Sequence, residues 1–217
     1  MIQDKMRTEM ASIHGAVAEM GEYALVMLTE SLDALYVNDK QKALSVIQKN
    51  PSLTVQYRTL EEEMFRFIAI YQPVARDMRK MVCSIRLIYN FERIGRMGKD
   101  IAKMIIDFPD VNHRPCITSI SSMGEAVTKM ISDCVTAYLK EESDQILEMY
   151  KRDDIVDSLY EIVVEETIRW MNQVSVMIPV GASYLIIARL LERCGDQACN
   201  IAEMVIYMIS GERPVFL

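Results

Sequence analysis

"MGEYALVMLTESLDALYVNDKQKALSVIQKN", residues 20–50, lies without a gap on "MGEAVTKMISDCVTAYLKEESDQILEMYKRD", residues 123–153. Met20-Gly21-Glu22 falls on Met123-Gly124-Glu125, Met27 on Met130, Ala34 on Ala137 and Leu44 on Leu147. Further along, "FERIGRMGKDIAKMI" (91–105) falls on "LERCGDQACNIAEMV" (191–205) with a small change of offset. Self-similarity over such lengths means one supersecondary unit used twice. Within each copy the apolar residues recur at helical spacing.

The chain of 217 residues is 51% hydrophobic, enough for a real core, and its few Gly (8) and Pro (6) leave long uninterrupted segments. Apolar periodicity predicts helices over roughly 5–37, 40–71 and 74–106 in the first copy, and 117–140, 142–175 and 181–210 in the second. Asn38-Asp39, Gln72-Pro73 and 177–181 supply the turns, and Gly211 is a C-terminal stop. Short turns make successive helices antiparallel neighbours. The fold class is therefore all-α, two tandem three-helix up-down bundles: a first repeat over 1–106, a linker over 107–115 bracketed by Pro109 and Pro115, and a second repeat over 116–217. Pro51 either opens a fresh helix with Asn50 as its cap or sits inside a long kinked one.

A net charge of −7 disfavours nucleic acid as a partner. The five cysteines are odd in number, and no secretory apolar core follows the charged start, so a reducing cytoplasm is expected. Residues 170–188 carry no charge over nearly the length of a bilayer span. Asn172, Gln173, Pro179 and Gly181 interrupt that run, which reads better as two helices meeting at a buried turn. Glu192, Asp196, Asn200 and Glu203 form a polar stripe along one face of an otherwise apolar last helix.

"YQPVARDMRK" (71–80), "FERIGRMGKDI" (91–101) and "ARLLERCGDQACNIAEMVIYMISGE" (188–212) resemble the PhoU family, over nearly the whole chain. The resemblance implies tandem three-helix bundles and a non-enzymatic, negative regulator of phosphate uptake and signalling. Its implied partners are the phosphate ABC transporter ATPase and a sensor kinase, with membrane association only through them. It also implies acidic E-x-x-x-D motifs that hold metal ions; oligomeric state stays open, a homo-oligomer included.

In the second repeat Glu192 and Asp196 would face Asp153 and Asp157 if "RDDIVDSLY" packs alongside. Four carboxylates in one groove repel one another and call for a cation, protonation or intervening water. An oxygen-only set suits Mg²⁺, Mn²⁺ or Ca²⁺, and iron or zinc also bind carboxylates. In the first repeat Asn50, Thr54, Arg96 and Lys103 stand where Asp153, Asp157, Asp196 and Glu203 stand in the second. Glu92, Arg96 and Asp100 then form a self-neutralising ladder, so one metal site is expected, in the second bundle.

Plainer readings stand beside these. The acids read as a solvated face with Arg152 and Arg193 nearby, Gly95 and Gly195 as marks of close helix approach, and Cys194 and Cys199 as small buried residues facing different ways. The segment 72–79 is a helix start, or a partner surface through Arg76 and Arg79. A metal storage or sensing bundle is the alternative function. A di-iron enzyme is disfavoured because neither His14 nor His113 follows a Glu at the required spacing, and no G-x-x-x-x-G-K-[ST] loop occurs.

Overall fold

A computed structural model describes residues 2–108 and 117–213. Six long helices account for nearly all of them: α1 (Ile2–Val37), α2 (Lys40–Tyr71), α3 (Ala75–Ile106), α4 (Ile117–Lys140), α5 (Met149–Gln173) and α6 (Ile178–Ser210). Pro109, Pro115 and His113 lie outside the described residues.

Local chemistry sets the turns. Asp39 caps α2 by accepting the Lys42 N–H at 2.9 Å, and Asn38 before it takes the left-handed conformation (φ 54°) that ends α1. Gly211 closes α6 at φ 83°, its N–H returning to the Tyr207 carbonyl, as the sequence predicts. Pro51 lies inside one continuous α2, so no fresh helix starts there. The boundaries around α5 and α6 differ from expectation. α5 begins at Met149 rather than 142, because Asp144–Ile146 forms a 3-10 turn first, and it ends at Gln173. α6 begins at Ile178, with Pro179 in its first turn, where a missing N–H has no helical partner to lose.

Within each repeat the three helices pack on one another, and the repeats join side by side through α1 on α4 and α3 on α6. That leaves α2 and α5 as outer helices, each packed mainly on its own bundle. One apolar core runs through both repeats. The repeated Met-Gly-Glu marks the α1–α4 crossing from both sides. A Cβ on Gly21 would come within 2.9 Å of Val135 on α4, and one on Gly124 within 2.8 Å of Leu32 on α1. Glycine at both places lets the helices close up, and each buried large side chain so gathered contributes roughly 1.5–3 kcal/mol.

Polar contacts fix the register of the repeats. Ser84 on α3 and the buried Tyr138 hydroxyl on α4 are 2.8 Å apart, and the His14 ring packs 4.2 Å from that of Tyr138. Glu141 receives Lys80 and, at 3.3 Å, Arg76, while Arg79 donates to the Met208 carbonyl at 3.2 Å. Arg76 and Arg79 therefore serve contacts within the molecule. The uncharged run beginning at Trp170 is split between the end of α5 and the start of α6. The segment Ser175–Ser210 is long and apolar enough to cross a bilayer by length and composition, but here α6 packs against α3, α4 and α5.

Candidate functional site

The seam between α5 and α6 gathers the carboxylates the sequence singles out. Asp153 leans onto α6 at Gly195, where a Cβ would stand only 2.6 Å from its Oδ1. Glycine is therefore what admits this carboxylate to the helix surface. Burial, followed by repulsion from Asp157, Asp196 and Glu192, pushes the Asp153 pKa up to about 6, against the opposing influence of the Cys199 thiol one turn further along α6. Its proton uptake therefore falls close to neutrality.

Glu192 shares this field. Burial, then the Asp196 charge, raises its pKa, while Arg189 and Arg193 pull the other way. Its Oε1 accepts from Arg189 at 2.6 Å, but its Oε2 is buried with no hydrogen-bond partner. Asp157 and Asp196 are exposed at the mouth of the seam. Arg152 turns away to Asp133 on α4, at 2.9 Å, and leaves Asp153 without that counter-charge.

The donor chemistry fits a hard cation: an all-oxygen set, mutual repulsion that a positive charge would relieve, and an orphaned buried carboxylate oxygen. Among the described residues, however, no three His, Cys, Asp or Glu side chains are drawn together as a ready cage. The polar stripe also divides. Glu203 accepts the Tyr150 hydroxyl from α5, whereas Asn200 bonds back to the Asp196 carbonyl at 2.9 Å and lines a separate groove against α3.

The equivalent seam in the first repeat lies between α2 and α3. Arg96 and Glu92 pair at 2.5 Å, the expected rung. The next rung does not form, because Asp100 pairs with Lys99 at 2.8 Å instead of with Arg96. Gly95 is covered by Leu53, whose Cδ2 would stand 2.4 Å from a Cβ there. Both glycines thus mark close approach, one under an aliphatic side chain and one under a carboxylate. Cys194 meets the Met97 sulfur on α3 at 3.8 Å while Cys199 meets Asp153 on α5, so the two thiols do face different ways.

A family profile described as the PhoU domain matches this chain twice, over residues 17–105 and 120–205. The chain belongs to the PhoU family. Among its relatives, a phosphate-specific transport system accessory protein PhoU homolog of Clostridium acetobutylicum is 30% identical over 214 residues, 98% of each chain. The phosphate-specific transport system accessory protein PhoU of Escherichia coli K12 is 28% identical over 97% of this chain and 88% of its own. The crystal structure of PhoU from Pseudomonas aeruginosa superposes with a TM-score of 0.90 at 26% identity, covering 95% of this chain and 99% of that one. PhoU from Streptococcus pneumoniae, at 23% identity, shares the fold with a TM-score of 0.88, covering 97% of this chain and all of that one. The two PhoU matches fall on the two bundles, and the α2–α3 and α5–α6 seams are equivalent places within them.

Sequence reasoning missed Cys199 as a partner of Asp153, having placed it among the inert buried thiols. The signal was present: Cys199 follows Asp196 by three residues and so falls near the edge of the same helix face.

Proposed function

We infer that this chain is a non-enzymatic cytoplasmic regulator of phosphate uptake and phosphate-responsive signalling. It acts as an adaptor to the ATPase of a phosphate ABC transporter and to a signalling partner such as a sensor kinase. The observation that carries this reading is similarity over nearly the whole chain to accessory proteins of phosphate-specific transport systems. The fold supports an adaptor, because α2 and α5 each have a face turned away from the core. Val55, Phe65 and Ile70 on α2, and Ile155, Ile162 and Ile168 on α5, remain exposed there.

A divalent or trivalent cation held by Asp153, Asp157, Glu192 and Asp196 belongs to the same proposal. It would neutralise the crowded carboxylates and tie α5 to α6, stiffening one outer helix. Asp153 is seated against Gly195, and Glu192 supplies the oxygen that now lacks a partner. The other two carboxylates must swing in from solvent.

Affinity capture of the tagged full chain from its own cells, grown in high and in low phosphate, tests the adaptor reading. Recovery of a phosphate-transporter ATPase in amounts that change with phosphate supply is expected. Capture of no transporter or signalling protein in either condition would sink it and favour metal storage or sensing, for which the acidic seam is the motivating feature.

A further inference from the structure

A groove of about 580 Å³ runs between α3 and α6, with Tyr57 of α2 at its edge. Arg86, Asn90 and Arg93 of α3 form one wall, and Gln197 and Asn200 of α6 form part of the other. No carboxylate is among the described residues that line it, although the chain as a whole carries a net charge of −7.

Two of these side chains are largely buried where they line the groove. Asn90 and Gln197 are each only 8% exposed. Each is held in a groove wall by the packing of the helix that carries it. They face the groove from opposite helices, and each offers a donor and an acceptor side by side.

Arg86 and Arg93 stand two turns apart on α3, about 10 Å along the axis. Arg86 donates to the Met204 sulfur at 3.8 Å, and Arg93 rests on the ring and hydroxyl of Tyr89. Neither guanidinium is committed to an acid by any ion pair among the described residues. The half-exposed Tyr89 ring adds a flat apolar surface between them.

We propose that this groove binds a nucleotide. Arginines at both ends take phosphate oxygens, the buried carboxamides of Asn90 and Gln197 read the donor and acceptor edge of a base, and tyrosine offers a stacking face. The volume falls in the range of small-molecule sites. A lone inorganic phosphate would engage one arginine, make no use of the two carboxamides and fill a small part of the space. An acidic peptide would satisfy the arginines but has no need of the aromatic face. The site is independent of the acidic seam and of the adaptor reading.

Isothermal titration of the full chain with AMP, ATP and inorganic phosphate tests this. At least one nucleotide is expected to bind in the micromolar to millimolar range, with inorganic phosphate weaker by about tenfold or more. Arg93→Ala and Arg86→Ala, both at solvent-accessible positions, should each weaken nucleotide binding about tenfold without changing the thermal midpoint. Gln197→Leu should weaken the nucleotide while leaving pyrophosphate binding unchanged, which separates loss of base recognition from loss of charge. Should Gln197→Leu unfold the chain, Gln197→Met, which keeps the length and removes both polar atoms without adding charge, replaces it. No nucleotide binding at several millimolar, binding indifferent to Arg86 and Arg93, or phosphate binding as tightly as either nucleotide would each overturn the proposal.

Discussion

At the α2–α3 seam Leu53 lies over Gly95; at the α5–α6 seam Asp153 lies over Gly195. The residue that matches Leu53 in the second repeat is Val156, which also reaches Gly195, at 3.5 Å. The shorter valine vacates the glycine, and the carboxylate one turn earlier moves into the space. In the first repeat Leu53 fills that space, and Asn50, the counterpart of Asp153, keeps a buried Oδ1 without a partner. One glycine in a duplicated helix has thus been used for two ends. In the first bundle it closes an apolar joint, and in the second it admits charge. An apolar joint is stable without further help, whereas the charged one depends on protons or cations in solution.

The largest test of this contrast removes each covering side chain. Leu53 is fully buried, and Leu53→Ala should cost about 2–5 kcal/mol through lost burial and the cavity left behind. Asp153→Ala at the equivalent glycine should be near neutral or stabilising, because it relieves repulsion. Urea unfolding of the two variants compares them directly, and equal losses would break the distinction.

Cations sharpen it next. A hard divalent ion at 100 times its Kd should stabilise the chain by about 2.7 kcal/mol, seen as a raised thermal midpoint. The rise should vanish in a Glu192→Gln, Asp153→Asn double variant. Equilibrium dialysis should find the ion in the second bundle only, so binding that survives this double variant and depends on Glu92 would contradict the asymmetry.

A smaller effect follows from pH. The folded pKa of Asp153 is raised to about 6, so the native state holds its proton more tightly than the unfolded chain does. Stability from this group is full below the unfolded aspartate pKa near 4 and is lost as pH rises through about 6. With solvent screening of a partly exposed group, lowering pH from 7 to 5 should gain about 1 kcal/mol. That gain should be absent from Asp153→Asn. Unchanged pH dependence in the variant would assign the effect elsewhere.

The smallest effect belongs to the first repeat's ion pair. Arg96→Ala should cost about 0.5–1 kcal/mol at low salt, since Arg96 is itself half-exposed and its loss leaves Glu92 unpaired in a buried place. A loss that persists undiminished in 1 M salt would mean packing rather than charge.

Much of this was legible before any coordinates. Helix number, repeat boundaries and the Gly211 stop follow from periodicity and turn chemistry, which are local properties. The misplaced start of α5 is also local: Glu141 turns left-handed (φ 54°) where α4 ends, and a 3-10 turn over Asp144–Ile146 follows before α5. The pairing of Glu92 with Arg96 was readable as an i,i+4 spacing, but the choice of Lys99 by Asp100 was not. Side-chain direction at adjacent positions depends on which face the neighbouring helix covers.

The sequence by itself determined an all-helical, duplicated chain and identified the acids of its second half, because 3.6-residue spacing and repetition are written along a single strand of residues. Only the tertiary structure decided that Asp153 rather than Val156 sits closest to Gly195, that Cys199 lies beside it, and that Asn90 and Gln197 line one groove between α3 and α6. These contacts join residues remote in sequence, and differences as small as one methylene in a packed seam settle which side chain occupies the space.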